Sequence, residues 1–428
     1  MSKSKELLLT AFALFALFFG AGNLLLPPLL GYNAAADWPI VVVGFAITAV
    51  VIPIIGIYAH ARLQGTLYDF GKKISPLFSA VYCVVIYAIA LAIPSPRTAA
   101  ATHEIAIYPF FESPSWLTSA IYFALVLVFV LNRSKIMSII GKYLTPIIVV
   151  MLLMVIGIGI YASDSIVHEA TDLSPLSTGI LEGYQTFDAI GAAVVGAFII
   201  ISVNLRGHQD FDYKKRLIWK AGLMAGIGLL IMYTGLIAAG AYYGSDILGG
   251  EGVSSDMVRA SLLTGLIKGT LGAKANTMLS VLLALACFTT AVGIIAGAAD
   301  YFKGVFKNSD FAYRVTAVIG CALGVLVGQL DFHSIIVVAI PILAFIYPLT
   351  IVLILLNALP DRWASPKVFK AVALNTFLFS LPDVISGIWG PELLGDSLSW
   401  IPLSAYSLGW VLPAIIAFSI SNFLYKED

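Results

Sequence analysis

The sequence predicts an all-α polytopic membrane protein with twelve transmembrane helices, on three observations. The 428 residues are 60% hydrophobic and 11% charged, with a mean hydropathy of +0.97, against about 45–50% apolar and about 25% charged residues in soluble domains. A soluble domain must still cover its surface with polar groups, so a chain this apolar needs lipid around it. Twelve apolar runs divide the sequence, and their connecting loops alternate sharply in Lys and Arg content.

A helix rises 1.5 Å per residue, so about 20 apolar residues cross the hydrocarbon with every backbone N–H and C=O satisfied inside the segment. The runs are Leu7–Leu30, Ile40–Tyr58, Leu77–Ala101, Trp116–Leu131, Leu144–Ala162, Leu176–Val203, Ala221–Tyr243, Thr277–Ala299, Val315–Leu330, Ile335–Leu356, Val368–Ile388 and Ile401–Leu424. The first follows MSKSKE at once and could mimic a signal peptide, but it continues through Pro27 without a clear small-residue cleavage site and reads as a span.

One set of loops carries Lys3, Lys5; Arg62, Lys72, Lys73; Arg133, Lys135, Lys142; Arg206, Lys214, Lys215, Arg216, Lys220; Lys303, Lys307, Arg314; Arg362, Lys367, Lys370; and Lys426, which is 20 of the 24 basic residues. The opposite set carries Arg259, Lys268 and Lys274, all in the long loop Gly244–Asn276, and Arg97 falls within a span. Cytoplasmic loops are the Lys/Arg-rich ones, and a miscounted span would scramble the alternation downstream. Twelve spans with both termini cytoplasmic are therefore expected. Apolar spacing at Met257–Leu266 predicts a helical outer cap in the long loop.

Several function classes drop out. The 24 basic and 24 acidic residues argue neither for nucleic acid nor for an acidic substrate. Cys83, Cys287 and Cys321 each sit alone in an apolar stretch and read as buried small hydrophobes rather than as disulfide or zinc ligands. There is no GxxxxGK[ST] loop for ATP, and neither HExxH nor GxSxG for an intramembrane enzyme. The five His residues fall at span ends or in loops and receive no role, apart from titration if a proton were the coupling ion.

Two spans carry breaks that a plain anchor avoids. The first reads Phe18-Phe19-Gly20-Ala21-Gly22-Asn23 and then Leu-Leu-Leu-Pro27-Pro28. Gly lets the backbone leave helical geometry, and each Pro removes a helix hydrogen bond. A break near Gly20–Asn23 frees N–H and C=O groups near the bilayer midplane, which is tolerated only inside protein or along a site. Freed N–H groups at a half-helix start can hold a carboxylate, freed carbonyls can hold Na⁺, and the Asn23 oxygen could complete a cation shell or receive an amine. The plainer reading is that Gly20 and Gly22 serve close helix packing.

The sixth span reads Glu182-Gly183-Tyr184-Gln185-Thr186-Phe187-Asp188-Ala189-Ile190-Gly191. A carboxylate at membrane depth costs about 2.5–3.5 kcal/mol even on the lenient insertion scale, so Asp188 should face a cavity, a cation or a basic partner unless it lies nearer an interface. Interrupted segments at corresponding positions of two halves point to a transporter binding site. Spans one and six are five apart, so a five-plus-five inverted repeat (1–162 and 175–357) with two appended C-terminal helices (368–424) accounts for twelve.

The eighth span contains Ala286-Cys287-Phe288-Thr289-Thr290. Its hydroxyls, with backbone carbonyls, suit a hard cation; each could equally bond the carbonyl one turn back. In the third span, Pro94-Ser95-Pro96-Arg97-Thr98 breaks the helix beside a guanidinium. Arg97 could snorkel, or pair with Glu104, Asp188 or a substrate carboxylate.

Over nearly its whole length the chain resembles the bacterial branched-chain amino acid:cation symporter family, through FALFFGAGNLLLPP (Phe15–Pro28), PRTAAATHEIAI (Pro96–Ile107), LNRSKIMSIIGKYLTPI (Leu131–Ile147), LEGYQTFDAI (Leu181–Ile190), LACFTTAVGIIAGAADYF (Leu285–Phe302) and YPLTIVLI (Tyr347–Ile354). That family is similar in turn to sodium-coupled amino acid transporters with a five-plus-five inverted repeat. The resemblance implies substrate contacts from Gly20, Ala21, Gly22 and Asn23 in the first break; the polar second break adds Tyr184, Gln185, Thr186 and Asp188 as candidate substrate contacts. The resemblance also implies a Na⁺ site from Ala16, Phe19, Ala286, Thr289 and Thr290, with a second site near Asn23 left open; Asp188 has no simple counterpart there.

The expectation is therefore a secondary carrier in the bacterial cytoplasmic membrane, importing Leu, Ile and Val with Na⁺ by alternating access, with no cofactor beyond the coupling ion. The alternatives are the same scaffold coupled to H⁺ through Asp188, and an amino acid receptor that does not transport.

Overall fold

A computed structural model of the chain describes residues 3–132, 139–161, 170, 174–205, 210–248, 275–390, 393 and 400–424. Among the described residues the secondary structure is helix and turn, with no strand. The outer cap expected at 257–266 lies outside the described residues.

Nine helical stretches among the described residues are long and apolar enough to cross a membrane, and Ser115–Leu131 and Val411–Leu424 are shorter apolar helices. We label the helices α1 (Lys3–Phe18), α2 (Ala21–Ala34), α3 (Trp38–Ala46), α4 (Ile52–Leu63), α5 (Pro76–Ala92), α6 (Pro94–Ala101), α7 (Ser115–Leu131), α8 (Thr145–Tyr161), α9 (Pro175–Tyr184), α10 (Asp188–Leu205), α11 (Phe211–Leu248), α12 (Ala275–Val305), α13 (Asp310–Val327), α14 (Phe332–Ala358), α15 (Pro366–Trp389) and α16 (Val411–Leu424). Large apolar side chains such as Leu77, Leu125, Ile231, Val338 and Phe423 face outward, as a lipid-bathed surface requires.

The run at Ile401–Leu424 departs from the expected span. Only Val411–Leu424 is α-helical, and residues 401–410 form turns with left-handed Leu403 (φ 66°) and Ser407 (φ 51°). Pro402 cannot extend a helix ladder, and Ser404, Ser407 and Gly409 supply turn chemistry. Fourteen residues rise about 21 Å, short of a core about 30 Å thick.

The centre of the bundle is built by close crossings. Half-helix α2 packs on α11, where a Cβ on Gly31 would strike the Ile237 backbone and one on Gly240 would strike the Pro28 backbone. The same arrangement joins α3 to α9 through Gly44 and Gly179. Small residues let helix backbones meet closely where lipid supplies no hydrophobic drive. His60, placed by sequence at a span end without a role, is fully buried, and its Nε2 lies 2.9 Å from the Ala193 carbonyl, tying α4 to α10.

Candidate functional site

The first span is interrupted where the Gly-Ala-Gly-Asn motif predicts. The last α1 bond runs from Phe19 N to Phe15 O (2.9 Å), Gly20 is extended (φ −111°, ψ −163°), and α2 starts at Ala21. Asn23 then turns back on the break. Its Oδ1 accepts the Gly20 N–H (3.1 Å), while its Nδ2 donates to Asp188 Oδ2 (2.7 Å) and to the Tyr233 hydroxyl. The Asn23 oxygen, considered for a cation shell or a substrate amine, here makes a capping bond with one of its two lone pairs. The oxygen is the nearest acceptor for an N–H that the break orphans.

The second break joins α9 to α10 through Gln185, Thr186 and Phe187, the last left-handed at φ 62°. A non-glycine residue there costs about 1–3 kcal/mol and persists only where surroundings hold it. They do. Thr186 Oγ1 donates to Gly183 O (2.7 Å) and accepts Asp188 N–H (3.3 Å); the Tyr347 hydroxyl accepts Ala189 N–H (3.0 Å) and donates to Gly183 O (3.4 Å), its ring stacked on Tyr184. Asp188 opens α10, where a carboxylate meets the positive end of the helix dipole, and its Oδ2 also accepts from Tyr233 (3.1 Å). Asp188 is buried within the protein.

On the opposite side of the first break, Thr289 Oγ1 stands 2.7 Å from Ala16 O and 2.9 Å from Ala286 O. A hydroxyl has one proton to donate, so three oxygens converge where one proton serves two carbonyls. Thr290 Oγ1 is buried without a hydrogen-bond partner among the described residues, and a Cβ built on Gly20 would lie 3.0 Å from it. An orphaned oxygen beside a converging set fits a hard cation. Phe19 is buried at the break, its ring stacked on Phe15 and Tyr233.

Between the breaks lies a cavity of about 30 Å³ bounded by Asp188, Thr186, Phe187 and Thr290, with apolar walls from Leu17, Phe18, Pro94 and Ile294. Toward the Lys/Arg-rich helix ends a larger cavity of about 980 Å³ follows the same seam between α5, α10 and α12. The small cavity reaches Ala90, Val195 and Ile294, the large one Val84, Ile201 and Asp300. Six residues separate them on every helix, about 9 Å. At the intervening helix positions stand buried Tyr87, stacked on Tyr301 at 4.7 Å, and buried Phe198.

The structure thus gathers Gly20, Ala21, Gly22, Asn23, Gln185, Thr186 and Asp188 around the two breaks, and Ala16, Ala286, Thr289 and Thr290 beside them. Tyr184 points instead into the Tyr347 stack. Sequence reasoning missed Tyr233 and Tyr347; a tyrosine in an apolar span needs a partner for its hydroxyl, and that was the available signal. Arg97 does not snorkel: it is 3% exposed, and Glu104 Oε1 accepts the Phe332 N–H (2.6 Å).

The profile of the family described as "Branched-chain amino acid transport protein" matches residues 3–428. A branched-chain amino acid transport system 2 carrier protein of Pseudomonas aeruginosa is 32% identical over 427 residues, covering 97% of this chain and 95% of that protein. The branched-chain amino acid permease BraB of Bacillus subtilis is 31% identical, over 96% and 94%. Among solved structures, MhsT in complex with L-phenylalanine superposes with a TM-score of 0.56 at 16% identity (97% of this chain, 98% of that one). Mhp1, a nucleobase-cation-symport-1 family transporter, superposes with a TM-score of 0.59 at 13% identity (94% and 95%). At these identities the likeness is one of fold.

Proposed function

Since this chain belongs to the branched-chain amino acid transport protein family, we propose that it imports leucine, isoleucine and valine by symport with Na⁺ through an alternating-access cycle. Its relatives are named carriers and permeases, and it is a transporter rather than an enzyme. The observation that carries the reading is the joining of two interrupted helices through Asn23 and Asp188, beside the oxygen cluster of Ala16, Ala286 and Thr289. The substrate's charged ends would lie against the breaks and its aliphatic tail against Leu17, Phe18 and Ile294. One methylene is worth only about 1–3 kcal/mol in such a pocket, so the three substrates compete.

A void of about 30 Å³ holds about one water, so loading requires the breaks to part. The cavity spaced along α5, α10 and α12 supports release toward the Lys/Arg-rich face, which we assign to the cytoplasm, with both termini there. The matching glycine crossings of α2 on α11 and α3 on α9 support the inverted repeat, with twelve spans. Na⁺ drives the cycle only by favouring the loaded state, because an ion binding all states equally shifts none.

Purified protein in liposomes should take up leucine down an imposed Na⁺ gradient. Uptake indifferent to both Na⁺ and pH gradients would remove the coupling. The second reading, H⁺ coupling, is favoured by the burial of Asp188 and would show as uptake driven by a pH jump without Na⁺.

A further inference from the structure

From Thr186 to Ile200 every residue is buried except Gly191. Gly191 lies in the first turn of α10, its N–H bonded to the Phe187 carbonyl (2.7 Å), and it lines the small cavity between the breaks. Among the described residues around that cavity it is the one without a side chain. A Cβ built on it would meet only the Phe18 ring, 3.6 Å from Cδ1 and from Cε1, which is ordinary van der Waals contact.

The glycines at the helix crossings stand in different surroundings. A methyl group on Gly31, Gly44, Gly179 or Gly240 would strike the backbone of a facing helix, so close packing accounts for them. No backbone faces Gly191 in this way. Glycine also weakens a helix relative to alanine, because it loses more backbone freedom on folding. Alanine would fit the contracted site at 191 and favour the helix, so neither packing nor backbone geometry calls for glycine there. What the absent methyl group leaves is space, one methyl group wide, between Gly191 and Phe18, and both residues line the cavity.

The place of Gly191 along α10 gives that space a use. Asp188, Gly191 and Val195 follow at intervals of three and four residues and share one helix face, with Gly191 about 4.5 Å and Val195 about 10.5 Å along the axis from Asp188. All three line the cavity. Thr290 and Ile294 repeat the order on α12, a polar group and then, one turn on, an apolar one. An amino acid held by its ammonium group at Asp188 has its side chain a few bonds away, level with Gly191 and short of Val195.

We infer that Gly191 sets the size of side chain the carrier accepts, its missing Cβ forming, with Phe18 opposite, the slot that receives the branched end of the substrate. The assignment rests on the amino acid reading above and adds to it the residue that decides how bulky that amino acid can be. A methyl group at 191 takes up space that a branched tail needs and a shorter tail does not, and one methylene changes recognition in an apolar pocket by about 10–200-fold.

The test uses the full chain in liposomes, with leucine uptake competed by 2-aminobutyrate, whose ethyl side chain lacks the branch. Gly191→Ala should raise the leucine KM about tenfold or more and leave the inhibition constant of 2-aminobutyrate within about twofold, while the melting temperature stays level or rises. Equal shifts for both compounds, or a shift in neither, overturn the proposal. So does a fall in melting temperature of several degrees, which marks the glycine as a packing requirement. Should Gly191→Ala not yield folded protein, Phe18→Leu widens the slot from its other wall and should strengthen competition by phenylalanine about fivefold relative to leucine; no change in that ratio also overturns it. Failure of the unaltered chain to take up leucine would speak against the function rather than against Gly191.

Discussion

Asn23 and Asp188, 165 positions apart, meet at 2.7 Å, so the polar residue of one broken helix is hydrogen-bonded to the carboxylate of the other. The bond closes the space between the breaks on one side, and Tyr233 braces both partners. Any movement that widens the site must either break this link or carry both breaks together.

Asp188→Asn removes the charge and keeps the shape. A hydrogen bond to a charged group is worth about 1.5–3 kcal/mol, so the leucine KM should rise by roughly 10–100-fold. Asn23→Ala combined with Asp188→Asn should be markedly less than additive, because both changes remove one interaction. Additive losses would show that the two residues act separately.

Thr289 and Thr290 should separate on two measurements. Thr290 Oγ1 makes no hydrogen bond among the described residues, so Thr290→Ala should leave the melting temperature nearly unchanged while raising the Na⁺ concentration for half-maximal uptake by about fivefold, for a contact worth about 1 kcal/mol. Thr289→Val should lower the melting temperature and also raise the Na⁺ concentration for half-maximal uptake, because it also cuts the tie from α12 to the Ala16 carbonyl. Unaltered Na⁺ dependence in both variants would remove this cation site.

Gly22→Ala inserts a methyl group 2.6 Å from Arg97 Nη2 and 3.2 Å from the Gln185 carbonyl. Overpacking of this kind costs about 1–3 kcal/mol, and uptake at matched expression should fall by about tenfold or more. Gly20→Ala, whose Cβ meets a threonine side chain at 3.0 Å, should be the milder change in leucine KM and the more harmful in Na⁺ dependence.

Tyr87 stands midway between the two cavities, stacked on Tyr301. Tyr87→Leu removes the stack while keeping an apolar filler. A cysteine placed at Val194 should then be labelled severalfold faster by a thiol reagent added from the cytoplasmic face. Equal labelling rates with and without Tyr87 would show that the route runs elsewhere.

Much of this site was visible in one dimension. Gly20, Gly22 and the prolines mark the first break, and the polar stretch Tyr184–Asp188 marks the second, because helix interruption is written in local backbone chemistry. The same logic failed at residues 401–410, where the apolar run Ile401–Leu424 outweighed Pro402 and the neighbouring serines. His60 reads as a residue at a span end and Arg97 as one within a broken span that could snorkel, and both are buried. Their position along the chain said nothing about which helix would cover them.

The sequence by itself determined that the chain is a helical membrane protein, where its helices break, and which residue types stand at the breaks; hydropathy and backbone preference act over a few neighbouring residues. Only the tertiary structure decided that Asn23 would reach Asp188 and Tyr233, that Tyr347 would brace the second break, and that Arg97 would stack between Phe187 and Phe332. Those meetings depend on how helices far apart in sequence rotate and cross, and a polar group in an apolar span looks the same before its partner is chosen.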